Sequence, residues 1–157
     1  MTMNIGPNLY IGIDPGVSGG VAATTGDISI CGKCPLTVSD MAKLLTTVTD
    51  MGDKPFAVIE AVHSFPGQGV ASTFKFGNNY GMWLGILASL KIPYIQVTPS
   101  KWMKHYGAMP KVKKDRKNHL KHLAQQRYPE LDITLATADA MLLAHYGLHT
   151  YSISADG

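Results

Sequence analysis

The chain contains no run of eighteen apolar residues, and only 16% of its 157 residues are charged. The first absence excludes a membrane-spanning helix. The second, beside a hydrophobic content of 45%, excludes a disordered polyelectrolyte and leaves an ordinary globular composition. Residues 1–8 lack both the basic start and the apolar core of an export signal, so a cytoplasmic protein without a membrane partner is expected. Cysteine is scarce. Cys31 and Cys34 form a C-x-x-C pair, but no second pair exists to complete a four-ligand structural zinc site. Pro35 and Leu36 follow where a redox motif would open a helix, so neither role is expected. Acids are nearly missing from one segment: residues 101–121 hold eight of the 14 Lys and Arg and one acid, Asp115. That composition suits nucleic acid, although charge runs also make solvated helix faces. The length fits one domain, 1–157, with a core over about 8–148 and a loose C-terminal tail.

What is present is organised around the first apolar run. Residues 9–13 are apolar on both faces apart from Tyr10 and Gly12, the pattern of a strand in the middle of a sheet. The run stops at Asp14, with Pro15 and Gly16 making the turn. A carboxylate at the end of a buried strand needs a partner. A metal ion is one such partner; a turn aspartate capping local amides is the other reading. Residues 56–59 repeat the arrangement and end at Glu60. If the two strands are parallel neighbours, Asp14 and Glu60 lie side by side, and hard carboxylate oxygens suit Mg2+ or Mn2+.

Elsewhere, residues 20–25 and 27–31 read as strands that extend the first into an antiparallel meander. Ser39 and Asp40 are cap types for a helix running to Met51. Residues 63–70 form a Gly-rich polar loop. A long helix is expected over 71–91, with Gly77, Gly81 and Gly85 as a small-residue stripe for close approach of a sheet, a partner helix or a phosphate backbone. Residues 92–97 read as a strand, and Pro93 places its start at an edge. Thr98 and Pro99 open a short helix to His105 that carries Lys101, Trp102 and Lys104. A basic loop and a polar helix over 115–126 follow. A last helix, about 134–146, holds Asp139 within an apolar run, where it needs a partner such as a metal shared with Asp14 and Glu60. From His149 the tail reads as loose.

A strand ending in Asp14-Pro15-Gly16, a later strand ending in Glu60 and a final helix with Ala138-Asp139-Ala140 resemble the RuvC-type Holliday junction resolvases. The similarity is closest to the bacteriophage and plastid branch. It includes Phe65-Pro-Gly-Gln-Gly-Val-Ala-Ser-Thr-Phe-Lys-Phe-Gly-Asn-Asn-Tyr-Gly81, Val97-Thr-Pro-Ser-Lys-Trp102 and the Lys113-Lys-Asp-Arg116 block, and it spans about residues 9–147. The resemblance implies an α/β, ribonuclease H-like fold with a central mixed β-sheet flanked by helices. It implies a homodimer that nicks opposed strands of a four-way or other branched DNA junction, in the host cytoplasm if a phage encodes it. Asp14, Glu60 and Asp139 match the family's catalytic metal ligands, implying two Mg2+ or Mn2+ ions. Ser72, Thr73 and Lys75 are expected near the junction centre. Lys101, Lys104, Lys111, Lys113, Lys114, Arg116 and Lys117 are expected near phosphates.

One position departs from the family. A second acid or a histidine usually lies about one helical turn before the last acid; here those positions are Leu135 and Ala136. A three-carboxylate site, a further ligand such as Asp132, or a weakened site would each account for this. The alternative function is therefore a dimer that grips branched DNA and cuts it poorly. A third reading is a sugar-kinase or actin-type phosphotransferase, whose phosphate loop also follows a strand ending in Asp and Gly, but such proteins need two such lobes around a nucleotide, and this chain has one copy in 157 residues.

Overall fold

A computed structural model describes residues 6–61 and 63–152. Among them is a five-stranded mixed sheet in the order β3-β2-β1-β4-β5. β1 (Leu9–Asp14), β2 (Gly20–Thr24) and β3 (Ser29–Lys33) form the antiparallel meander that the sequence predicts. β4 (Pro55–Glu60) runs parallel to β1, with Ile13 opposite Ile59. β5 (Tyr94–Val97) adds in parallel at the edge, where Pro93 contributes only its carbonyl, 2.9 Å from the Ala57 N–H.

Side chains alternate across the sheet and build two cores. Leu9, Ile11, Ile13, Ala57 and Ile59 pack against α1 (Val38–Val48) and α2 (Val70–Ser89) through Met41, Leu45, Trp83 and Leu87. Ala22, Val58 and Val97 face α3 (Pro99–Lys104), α4 (Lys113–Arg127) and α5 (Ala138–Tyr151) through Trp102, Leu120, Ala124 and Met141. The architecture is thus three layers, helices on both faces of the sheet. Gly12 explains how α5 sits so close: a Cβ there would collide with the backbone of Ala140 and Ala144. Among the described residues no helix is long and apolar enough to cross a membrane.

Several helix limits differ from the sequence reading. Thr37, not Ser39 or Asp40, caps α1; its hydroxyl accepts from the Asp40 N–H at 3.1 Å. The α-helix stops at Val48, and a 3-10 turn covers Thr49–Met51. Among the described residues the glycine stripe on α2 meets nothing, since a Cβ at Gly77, Gly81 or Gly85 would point into open space. α5 begins at Ala138, four residues later than expected, because Thr134 to Thr137 fold into a turn whose Thr134 carbonyl accepts from the N–H groups of Thr137 and Ala138. It also runs on to Tyr151. His149 stacks on His145 with ring centroids 4.2 Å apart, and Tyr151 lies 5.1 Å from Phe56, so the segment expected to be loose is helical to that point. The rest of the expected tail, 153–157, and residues 1–5 of the expected leaderless start lie outside the described residues.

Candidate metal centre

β1 and β4 end together at one edge of the sheet. Gly12 and Val58 face α5 and its neighbours, so by strand alternation Asp14 and Glu60, two residues on, project to the same side. α5 lies across this face with Asp139 in its first turn. Asp14, Glu60 and Asp139 each offer a carboxylate oxygen, and these oxygens all lie within 4.8 Å of one another. All three residues are half-buried. Burial first, then the charges of Glu60 and Asp139, pushes Asp14 up to about 8, with Lys117 acting the other way. Burial lifts Glu60 to about 7 against a hydrogen bond from Trp102 that favours the ionised form, with Asp139 adding to the rise. Burial lifts Asp139 to about 6, opposed by Lys117 and Arg116. Three half-buried acids converging on one point fit a divalent cation, and an all-oxygen donor set fits Mg2+ or Mn2+.

The turn after Asp14 is held from two sides. Gly16 adopts φ +113°, a region that favours glycine. Its N–H donates to Asn79 Oδ1 on α2 at 2.8 Å. The Cys34 thiol donates to the Asp14 carbonyl at 3.3 Å, and burial pushes that thiol up to about 12. The C-x-x-C pair therefore contributes a packed thiol that braces the turn, and both cysteines are free. On Glu60, the Trp102 indole N–H donates to Oε2 at 2.7 Å. Asn79, Cys34 and Trp102 are the residues sequence reasoning missed at this site. Their partners lie 63, 20 and 42 positions away, and no local pattern announces such pairs.

The other expected residues fall into groups. Asp132 is exposed and is not one of the converging acids; its charge acts on Cys31 instead. Leu135 and Ala136 sit in the turn before α5, so the rule that residues three apart share a helix face does not apply to Ala136 and Asp139. The Ala136 carbonyl abuts the site of a Cβ on Gly20. Lys117 and Arg116 at the start of α4 lie close enough for their charges to reach Asp139. Arg116 also donates to the Lys111 carbonyl at 3.2 Å, which ties the preceding loop to the helix. Lys113, Lys114 and Lys117 line a groove of about 410 Å3 with Asn118 and Leu135. Lys104 and Arg116 line another. Lys111 is exposed. Ser72 and Lys75 are exposed on α2, and the half-buried Thr73 donates its hydroxyl to the Gly69 carbonyl at 3.0 Å. Lys101 stands apart: its charge acts on Tyr151, at the end of α5 remote from Asp139, on the order of 20 Å along the helix. Beside Glu60, a mostly apolar cleft of about 510 Å3 is lined by Phe65, Phe76, Thr98 and Pro99.

No family model matches this chain, and no curated protein matches it. Among solved structures, RuvC of Thermus thermophilus in complex with a Holliday junction substrate is similar at 13% identity and a TM-score of 0.58, over 90% of this chain and 94% of that one. The structure of Thermus thermophilus RuvC is similar at 14% identity and a TM-score of 0.58, over 90% and 95%. The likeness defines the fold: a mixed five-stranded sheet flanked by helices, of the ribonuclease H-like kind that RuvC has.

Proposed function

We propose that this chain is a metal-dependent endonuclease that resolves four-way DNA junctions by paired hydrolytic nicks in opposed strands, acting as a homodimer of the bacteriophage and plastid RuvC kind. The observation that carries the reading is the meeting of Asp14, Glu60 and Asp139 at the edge of a fold shared with RuvC. The three carboxylates would hold two Mg2+ or Mn2+ ions. When bound, such ions activate water and stabilise the leaving oxygen of a phosphodiester. The chain's own residues do the rest. Trp102 and the braced turn after Asp14 orient the acids. Lys117 and Arg116 neutralise a phosphate brought against them, and Lys113 and Lys114 guide the flanking backbone. Ser72, Thr73 and Lys75 on the open side of α2 suit the junction centre. The unfilled glycine stripe on α2, flanked by the exposed Phe74, supports close packing of a second copy.

The test is a nicking assay on a synthetic four-way junction with Mg2+ or Mn2+. Paired symmetric nicks are expected. Asp14→Asn and Glu60→Gln should each abolish cutting while junction binding survives. Binding without cutting by the unaltered protein would favour instead a branched-DNA-binding dimer whose site is short of the acid absent at Ala136. Failure to bind branched DNA would overturn both.

A further inference from the structure

An indole N–H is a donor only, carries no charge and does not titrate near neutrality. Trp102 is fully buried. Its place is set by the helices rather than by the acid it touches. Thr98 caps α3, accepting from the Lys101 N–H at 3.3 Å, and Pro99 opens the helix. The ring sits in the core with Val97, Leu120 and Ala124 and meets Tyr106 edge-on at 6.3 Å between centroids. From that fixed position its N–H reaches Glu60 Oε2 at 2.7 Å, within the range of a charge-assisted bond. Trp83, the other tryptophan, is also fully buried, but its N–H has no hydrogen-bond partner among the described residues.

We propose that Trp102 is a positioning residue of the metal centre, whose indole N–H commits one oxygen of Glu60 and presents the carboxylate to Asp14 and Asp139 as a single-oxygen ligand. The inference rests on the nuclease reading only in taking the three acids as the ion site. It has a consequence for ion choice. Ca2+ readily takes both oxygens of a carboxylate, whereas Mg2+ takes carboxylates sparingly and keeps several waters. A glutamate with one oxygen already engaged therefore favours the small octahedral ions and disfavours Ca2+. An uncharged donor suits the position because a Lys or Arg there would repel the ions, and a His would change charge over the working pH range.

The test is made on the intact protein by calorimetric titration with Mn2+ and with Ca2+. Trp102→Phe keeps a ring in the core and removes the N–H. It is expected to weaken Mn2+ binding about tenfold, the usual scale for losing a partner that orients a metal ligand, and to weaken Ca2+ binding less, so that the preference narrows. A folded Trp102→Phe protein with unchanged affinity for both ions overturns the inference and leaves the nuclease reading standing. Absence of Mn2+ binding by the unaltered protein overturns both. Should Trp102→Phe fail to fold, indole 15N–1H spectra of the unaltered protein decide. The chain has two indole signals, and Trp83→Phe assigns them. The Trp102 signal should move on adding Mg2+ while the Trp83 signal stays; a Trp102 signal indifferent to Mg2+ overturns the inference.

Discussion

The protonation of three side chains makes the stability of the metal-free protein run against the usual direction. Asp14, Glu60 and Asp139 are raised to about 8, 7 and 6 from ordinary values of 3.8, 4.5 and 3.8. Between those limits the folded chain holds more protons than the unfolded one, so stability falls as pH rises. The contribution is intact below about pH 4 and is lost as pH climbs through 6, 7 and 8. His145 works in the opposite sense. Burial, then His149, Arg127 and His105, lower it from 6.5 to about 4, so its share of stability is complete above 6.5 and is lost as pH falls toward 4. Melting temperatures of chelator-treated protein should therefore drop from pH 5 to pH 8, and saturating Mg2+ should flatten that drop. Asp14→Asn should raise the metal-free melting temperature at pH 8. A metal-free protein that grows steadily more stable from pH 5 to pH 8 would contradict the placement of these acids together.

Two elements, β1 and α5, carry Asp14 and Asp139, and they touch backbone to backbone at Gly12. Gly12→Ala forces the pair apart and should cost about 1–3 kcal/mol, seen as a lower urea midpoint, with a loss of cutting larger than the loss of folded protein at assay temperature. β1 and β4 were legible in the sequence as strands, because each apolar run is too short for a helix and stops abruptly at an acid; that they pair in parallel was only a condition there, which the structure meets. The start of α5 was not. Thr134, Leu135 and Ala136 continue the apolar spacing of the helix, and only the hydrogen bonds of the turn separate them from it. Its end was misread for the converse reason: His149 and Tyr151 look like tail residues, but ring contacts with His105 and Phe56, both outside this helix, hold them. The short capped helix that carries Trp102 was legible, but not whether the indole ring packs inward or meets a base. Its bond to Glu60 spans 42 positions and depends on the tertiary fold alone.

Across the whole molecule, the acids and the basic start of α4 lie side by side, so one surface would both attract a phosphate backbone and hold the ions that act on it. Junction binding should weaken steeply with salt, since each phosphate contact releases counterions. Changing Lys113 and Lys114 to Ala together should lower the slope of log affinity against log salt by roughly 2. An unaltered slope would move the DNA surface elsewhere. On the proposed dimer reading, Gly81→Leu blocks the open stripe of α2, where a Cβ meets no described residue. It should turn a dimer into a monomer by light scattering while leaving the melting temperature of the fold nearly unchanged. α2 has a second office. Its Asn79 grips the peptide N–H of Gly16, two residues beyond Asp14. On the proposed nuclease reading, a load on the outer surface of this helix, from a second copy or from an arm of DNA, would be passed through that one amide to the loop that aims an acid, and the speed of cutting would become a gauge of how firmly the molecule is seated.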